Sequence, residues 1–72
     1  MKPAEFQLTA DNVYELCEQI TLSKPHFRFN PAAKRGVEVD GLTVLERGQR
    51  QVAYFGDWIT RDRYGNHTVR SA

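Results

Sequence analysis

The chain has 72 residues, 40% of them hydrophobic and 26% charged, with a formal net charge of +1. That is enough for one domain, 1–72, with one small core, of a size at which folding buries about 60% of the chain's surface. A deep pocket for a small-molecule substrate would consume much of such a core, so composition argues against an enzyme, and neither a cofactor nor a resident metal is expected.

Ala4-Glu5-Phe6-Gln7-Leu8 alternates apolar and polar residues and reads as a short strand. Thr9 then looks like a helix N-cap, with Leu8 and Val13 at the spacing of a hydrophobic staple. The helix is predicted over about Ala10 to Thr21. Val13, Leu16, Cys17 and Ile20 form one apolar stripe on it, with Glu15, Glu18 and Gln19 off the stripe. Cys17 is therefore predicted to be a core residue.

Residues 23–36 break this pattern. Pro25 and Pro31 bar a helix, Phe27-Arg28-Phe29 allows a short extended piece, and Asn30 to Gly36 reads as a loop with a helical turn. It is the longest irregular segment, the kind of place where function concentrates.

An antiparallel meander is predicted from Gly36 onward. Asp40-Gly41 suits a two-residue hairpin turn, which would set Val39 against Leu42 and Val37 against Val44. A three-residue loop at Glu46-Arg47-Gly48 would set Leu42 against Val52. Gly56-Asp57 marks a bend, with Tyr54 and Phe55 before it expected to face opposite ways. The strand from Asp57 to Arg61, the turn Asp62-Arg63-Tyr64-Gly65 and the strand from His67 to Arg70 complete the chain, with Trp58 expected opposite Val69 and in the core. The predicted fold class is α+β, one N-terminal helix packed on a small twisted antiparallel sheet of four to six strands.

Charge is uneven along the chain. Residues 1–23 sum to −3, residues 24–46 to +1 and residues 47–72 to +3. The single cysteine rules out an internal disulfide and a cysteine-based zinc site, and fits a reducing cytoplasm. No apolar run approaches the roughly 18 residues of a membrane span, and Met1-Lys2-Pro3-Ala4-Glu5 is not followed by the apolar stretch of a signal peptide. The expected location is the cytoplasm, with no membrane partner.

Several stretches have a specific pattern. Lys2-Pro3 precedes the first strand, and Thr9-Ala10-Asp11-Asn12-Val13 opens the helix. Gly41-Leu42 and Leu45-Glu46-Arg47-Gly48 form the middle, and Gly56-Asp57-Trp58-Ile59 with Gly65 forms the end. Over residues 2–22 and 41–65 the chain resembles a group of small phage and prophage proteins that share a Lys-Pro strand, a Leu-Glu-x-Gly turn and a Gly-Asp-Trp-Ile strand. That group continues past its last glycine with a proline- and cysteine-containing segment. Here the sequence runs instead through Asn66 to Ala72, and the basic, proline-containing stretch 23–36 is particular to this chain. No general activity is known for the group. The resemblance implies phage origin, and phage proteins of this size without catalytic motifs are often takeover factors that bind a host machine such as bacterial RNA polymerase.

The sequence carries no catalytic or metal-binding pattern. His26 and His67 are far apart in sequence and read as surface residues, and no nucleophile–base or phosphate-loop pattern occurs. Asp57 and Asp62 suit turn-forming roles better than acid–base work. The leading expectation is a protein–protein effector, a regulator or inhibitor of bacterial RNA polymerase. Its candidate contact residues are Phe27, Arg28, Phe29, Lys34 and Arg35 in one stretch and Arg61, Arg63 and Tyr64 in another. A single-stranded nucleic-acid-binding module is the second expectation, since the same residues interleave cations with aromatic rings. A near-neutral chain with an acidic helix weighs against it. A small structural or accessory phage protein is the third.

Overall fold

The computed structural model describes residues 3–46 and 48–72, so the parts of the sequence patterns that fall on Lys2 and Arg47 lie outside the described residues. In chain order the elements are β1 (Ala4–Gln7), α1 (Val13–Gln19), β2 (Ser23–Phe29), β3 (Val37–Glu46), β4 (Gln49–Tyr54), β5 (Trp58–Arg61) and β6 (His67–Arg70). The α+β class holds, but the strands form two antiparallel three-stranded sheets, ordered β1-β5-β6 and β2-β3-β4, where one sheet was expected.

The apolar stripe of α1 places Val13, Leu16 and Ile20 in the core, with Cys17 packed at its margin. They meet Leu42, Val44 and Ala53 from the second sheet, Ile59 from the first, and Leu8 between β1 and the helix. The helix starts later than the sequence suggests, with Asn12 and not Thr9 at its N-cap position. The Asn12 side chain is turned backward. Its Oδ1 accepts the Thr9 N–H at 2.8 Å and its Nδ2 donates to the Gln7 carbonyl at 2.8 Å. That engagement holds residues 9–12 in a turn and removes the expected staple spacing.

The largest departure is at Asp40-Gly41. No hairpin forms there; β3 runs straight through, and β2 pairs along its length. Gly41 is buried, and a Cβ built on it would meet the Ala53 carbonyl oxygen at 2.1 Å. Its missing side chain therefore serves close approach of β4, not a positive-φ turn. Phe27 pairs with Val39 and His26 with Gly41, so Asp40 is an extra residue on β3, a bulge. Pro25 is compatible with a strand because the Leu22 carbonyl accepts the Leu45 N–H at 3.1 Å. Alternation of bonded and non-bonded pairs then turns the Pro25 nitrogen, opposite Leu42, toward the free edge.

Two hairpin registers are one residue out from expectation, and each slip changes which side chain faces the core. Glu46 pairs with Gln49, so Leu42 faces Ala53 and not Val52. In the last hairpin Ile59 faces Val69 and Trp58 faces Arg70. The reason lies in the loop 62–66. The Gly65 N–H donates to the Asp62 carbonyl, and Gly65 at φ 85° adds a residue before the strand resumes. Trp58 is consequently half-buried on the outer face of its sheet, under the Arg70 guanidinium at 5.7 Å, and Arg70 also reaches Glu5 at 3.3 Å.

Where β4 runs beside β6, the Gln51 side chain joins the two sheets. Gln51 Nε2 donates to the His67 carbonyl and its Oε1 accepts the Val69 N–H, both at 3.1 Å. The amide thus satisfies the outward edge of β6 as a neighbouring strand would.

Candidate functional site

Beyond the core, β2 and β3 continue as an arm closed by residues 30–36, and the molecule is 41 Å long against 23 and 21 Å across. Period-2 alternation assigns the arm's two faces. Phe27, Phe29, Val37 and Val39 share the inner face, which continues the core face of the sheet. Val39 packs on the core. Phe27, Val37 and Phe29 lie past its rim and are 52%, 43% and 79% exposed. The loop keeps its shape through backbone bonds from Asn30 to Gly36 and from Gly36 to Ala33, and through Asn30 Oδ1, which accepts the Ala32 N–H. Lys34 and Arg35 are exposed on that loop, with no ion pair among the described residues.

Arg28 is on the opposite face from the two phenylalanines, beside Glu38. Its guanidinium donates to Glu38 Oε1, while Glu38 Oε2 accepts from Asn30 Nδ2 at 3.0 Å. The Asn30 amide first, and Arg28 second, hold the Glu38 carboxyl below its ordinary value. So Phe27-Arg28-Phe29 does not present one mixed surface. It presents an apolar inner face and a neutralised ion pair on the outer one. Next along the outer face, His26 Nδ1 and Asp40 Oδ1 are 2.6 Å apart, and the His26 ring meets Tyr54 edge-on at 5.6 Å. Tyr54 and Phe55 are both exposed in part, at 50% and 38%, contrary to the expected in-and-out pair, because β4 ends at Tyr54 and Phe55 has entered the bend.

Arg61, Arg63 and Tyr64 are elsewhere. Glu46, at the far end of β3 from Val37, is 3.5 Å from His67, and His67 pairs with Arg61. Val37 and Glu46 are the two ends of the ten-residue β3, about 30 Å apart at the rise of a strand. The two candidate stretches are therefore not brought together. Arg61 is half-buried with its guanidinium 5.7 Å from the Phe6 ring centre. Arg63 lies over the Tyr64 ring at 5.0 Å and donates to its hydroxyl. Asp62 Oδ1 accepts the N–H groups of Tyr64 and Asn66. His67, expected at the surface, has a side chain only 11% exposed, because the inward row of β6 places it against Glu46.

The remaining reactive types are engaged in structure. Asp57 Oδ2 accepts the Tyr54 N–H at 2.9 Å. Burial pushes the Cys17 thiol up from its ordinary value, against a smaller lowering by the Ser23 hydroxyl. Among the described residues no group of three His, Cys, Asp or Glu side chains could hold a metal ion, and no helix is long and apolar enough to cross a membrane. Compared with known protein families, with characterised proteins and with solved structures, the chain matches none.

Proposed function

We propose that this chain is a small phage-encoded binding protein that acts on a host protein by surface contact through the β2–β3 arm. The observation that carries this reading is the overhang of the core face, where Phe27, Phe29 and Val37 stand exposed on one side of a hydrogen-bonded hairpin. Aromatic side chains on a rigid support suit anchoring in a partner's pockets at little entropic cost. Lys34 and Arg35 at the tip add cations that steer the encounter. The resemblance to small phage proteins makes a host machine the partner of choice, with bacterial RNA polymerase first among them. Occlusion of a polymerase surface that a sigma factor needs is the proposed mode of action.

The test is capture of polymerase by tagged protein from bacterial lysate, after nuclease and at raised salt, followed by gel filtration with purified polymerase. Capture is expected to survive nuclease and to disappear in the double variant Phe27→Ser, Phe29→Ser, whose circular dichroism should match the parent. Retention of capture by that variant would remove the arm from the reading. Recovery of polymerase only before nuclease treatment would favour single-stranded nucleic acid as the ligand.

A further inference from the structure

The outer face of the β2-β3-β4 sheet carries a second surface, separate from the arm's inner aromatics. Leu22, Lys24, Pro25, Thr43, Leu45 and Arg50 line a shallow groove across it. Thr43 and Leu45 alternate with the buried Leu42 and Val44, so they face away from the core. Lys24 stands opposite Thr43 on one side, and Arg50 opposite Leu45 on the other. The two cations are two strand spacings and two residues apart, a diagonal of about 12 Å. Both are exposed and neither has an ion pair among the described residues. None of the residues lining the groove is acidic. The outer-face carboxylates Glu38 and Asp40 lie farther along β3 and are occupied by Arg28 and His26.

Leu22 makes this groove unusual. It has φ 61°, in the left-handed region, and it is the one non-glycine residue so placed among those described. A leucine there is strained where glycine or asparagine would be relaxed. Its side chain is 68% exposed beside Leu45, itself 41% exposed, so core burial does not offset the strain. Strain at an exposed apolar position points toward a contact made outside the molecule.

We infer that this groove docks an acidic segment of a partner protein, which lays an apolar side chain over Leu22 and Leu45 and sets carboxylates against Lys24 and Arg50. Charge complementarity selects the occupant, since the groove carries two unpaired cations with the exposed Leu22 and Leu45 beside them. A nucleic acid strand would need flat stacking partners between the cations, and the residues lining the groove include no aromatic ring.

The experiment is an amide NMR titration of the full chain with three probes. The first is a short peptide in which a pair of leucines is flanked by aspartate and glutamate. The second is the same peptide with asparagine and glutamine at the flanks, and the third is oligothymidylate. Shifts clustered on Leu22, Lys24, Thr43, Leu45 and Arg50, seen with the acidic peptide and fading with salt, are expected. The double variant Lys24→Glu, Arg50→Glu should bind it at least about tenfold more weakly. Leu22→Asn supplies the second arm. Relief of strain should raise Tm by about 4 °C while peptide binding falls about tenfold. Equal binding of the neutral peptide, preference for oligothymidylate, unchanged binding by Leu22→Asn, or no clustered shifts would each overturn the inference.

Discussion

Residues 27–35 and residues 61–64 carry the same kinds of side chain, arginines beside aromatic rings, and the molecule uses them in opposite ways. In the turn 62–65, neighbours satisfy one another: Arg63 covers Tyr64 and the Asp62 carboxylate takes two backbone amides. The bonds close within the turn. On β2, alternation pulls neighbours apart, sending Phe27 and Phe29 to one face and Arg28 to the other. The ion pair with Glu38 then quiets the outer face of the arm, while the inner face runs out beyond the core and stays apolar and exposed. Local closure makes a self-contained tip, and extended geometry makes a surface.

Gly41 lies where β3 passes from core to arm, and its contact with the Ala53 carbonyl leaves no room for a methyl group. Gly41→Ala should cost about 3 kcal/mol, a large share of the stability of so small a domain. Urea denaturation followed by tryptophan fluorescence measures it, and a loss below about 1 kcal/mol would show that β4 can move aside.

Away from the arm, the Gln51 amide ties the β6 edge to the second sheet. Gln51→Ala leaves a backbone donor and acceptor unpaired and should destabilise by about 2 kcal/mol. Hydrogen exchange at Val69 should accelerate more than at Phe29, and equal acceleration would mean that the bridge is not local.

A smaller effect is expected from acid. The Glu38 carboxyl is held below its ordinary value of 4.5 by Asn30 and Arg28. Because the folded value is the lower one, the stabilisation is present above the unfolded value and is lost as pH falls through the folded value. Amide protection at Asn30 should therefore weaken below about pH 4.5, and Glu38→Gln should flatten that dependence. The least effect belongs to the self-contained tip. Arg63→Ala should change stability by no more than about 0.5 kcal/mol and leave the proposed polymerase capture unaffected. Loss of capture would return the tip to the contact surface.

The sequence by itself determined the local features. The stripe of Val13, Leu16 and Ile20 specified the buried helix face, Gly56-Asp57 the bend, and Asp62 to Gly65 the turn, because period, carboxylate capping and positive φ act within a few residues. The aromatic arm was legible as composition, in Phe27 and Phe29, but not as a face. Only the tertiary structure decided that Asp40-Gly41 is a bulge and a close approach and not a turn, that 23–29 is a strand along β3, and that Trp58 lies outside the core. The physical reason is that strand partners are chosen by packing across the chain. A slip of one residue exchanges the buried and exposed faces of a strand, and no local pattern records which partner imposed it.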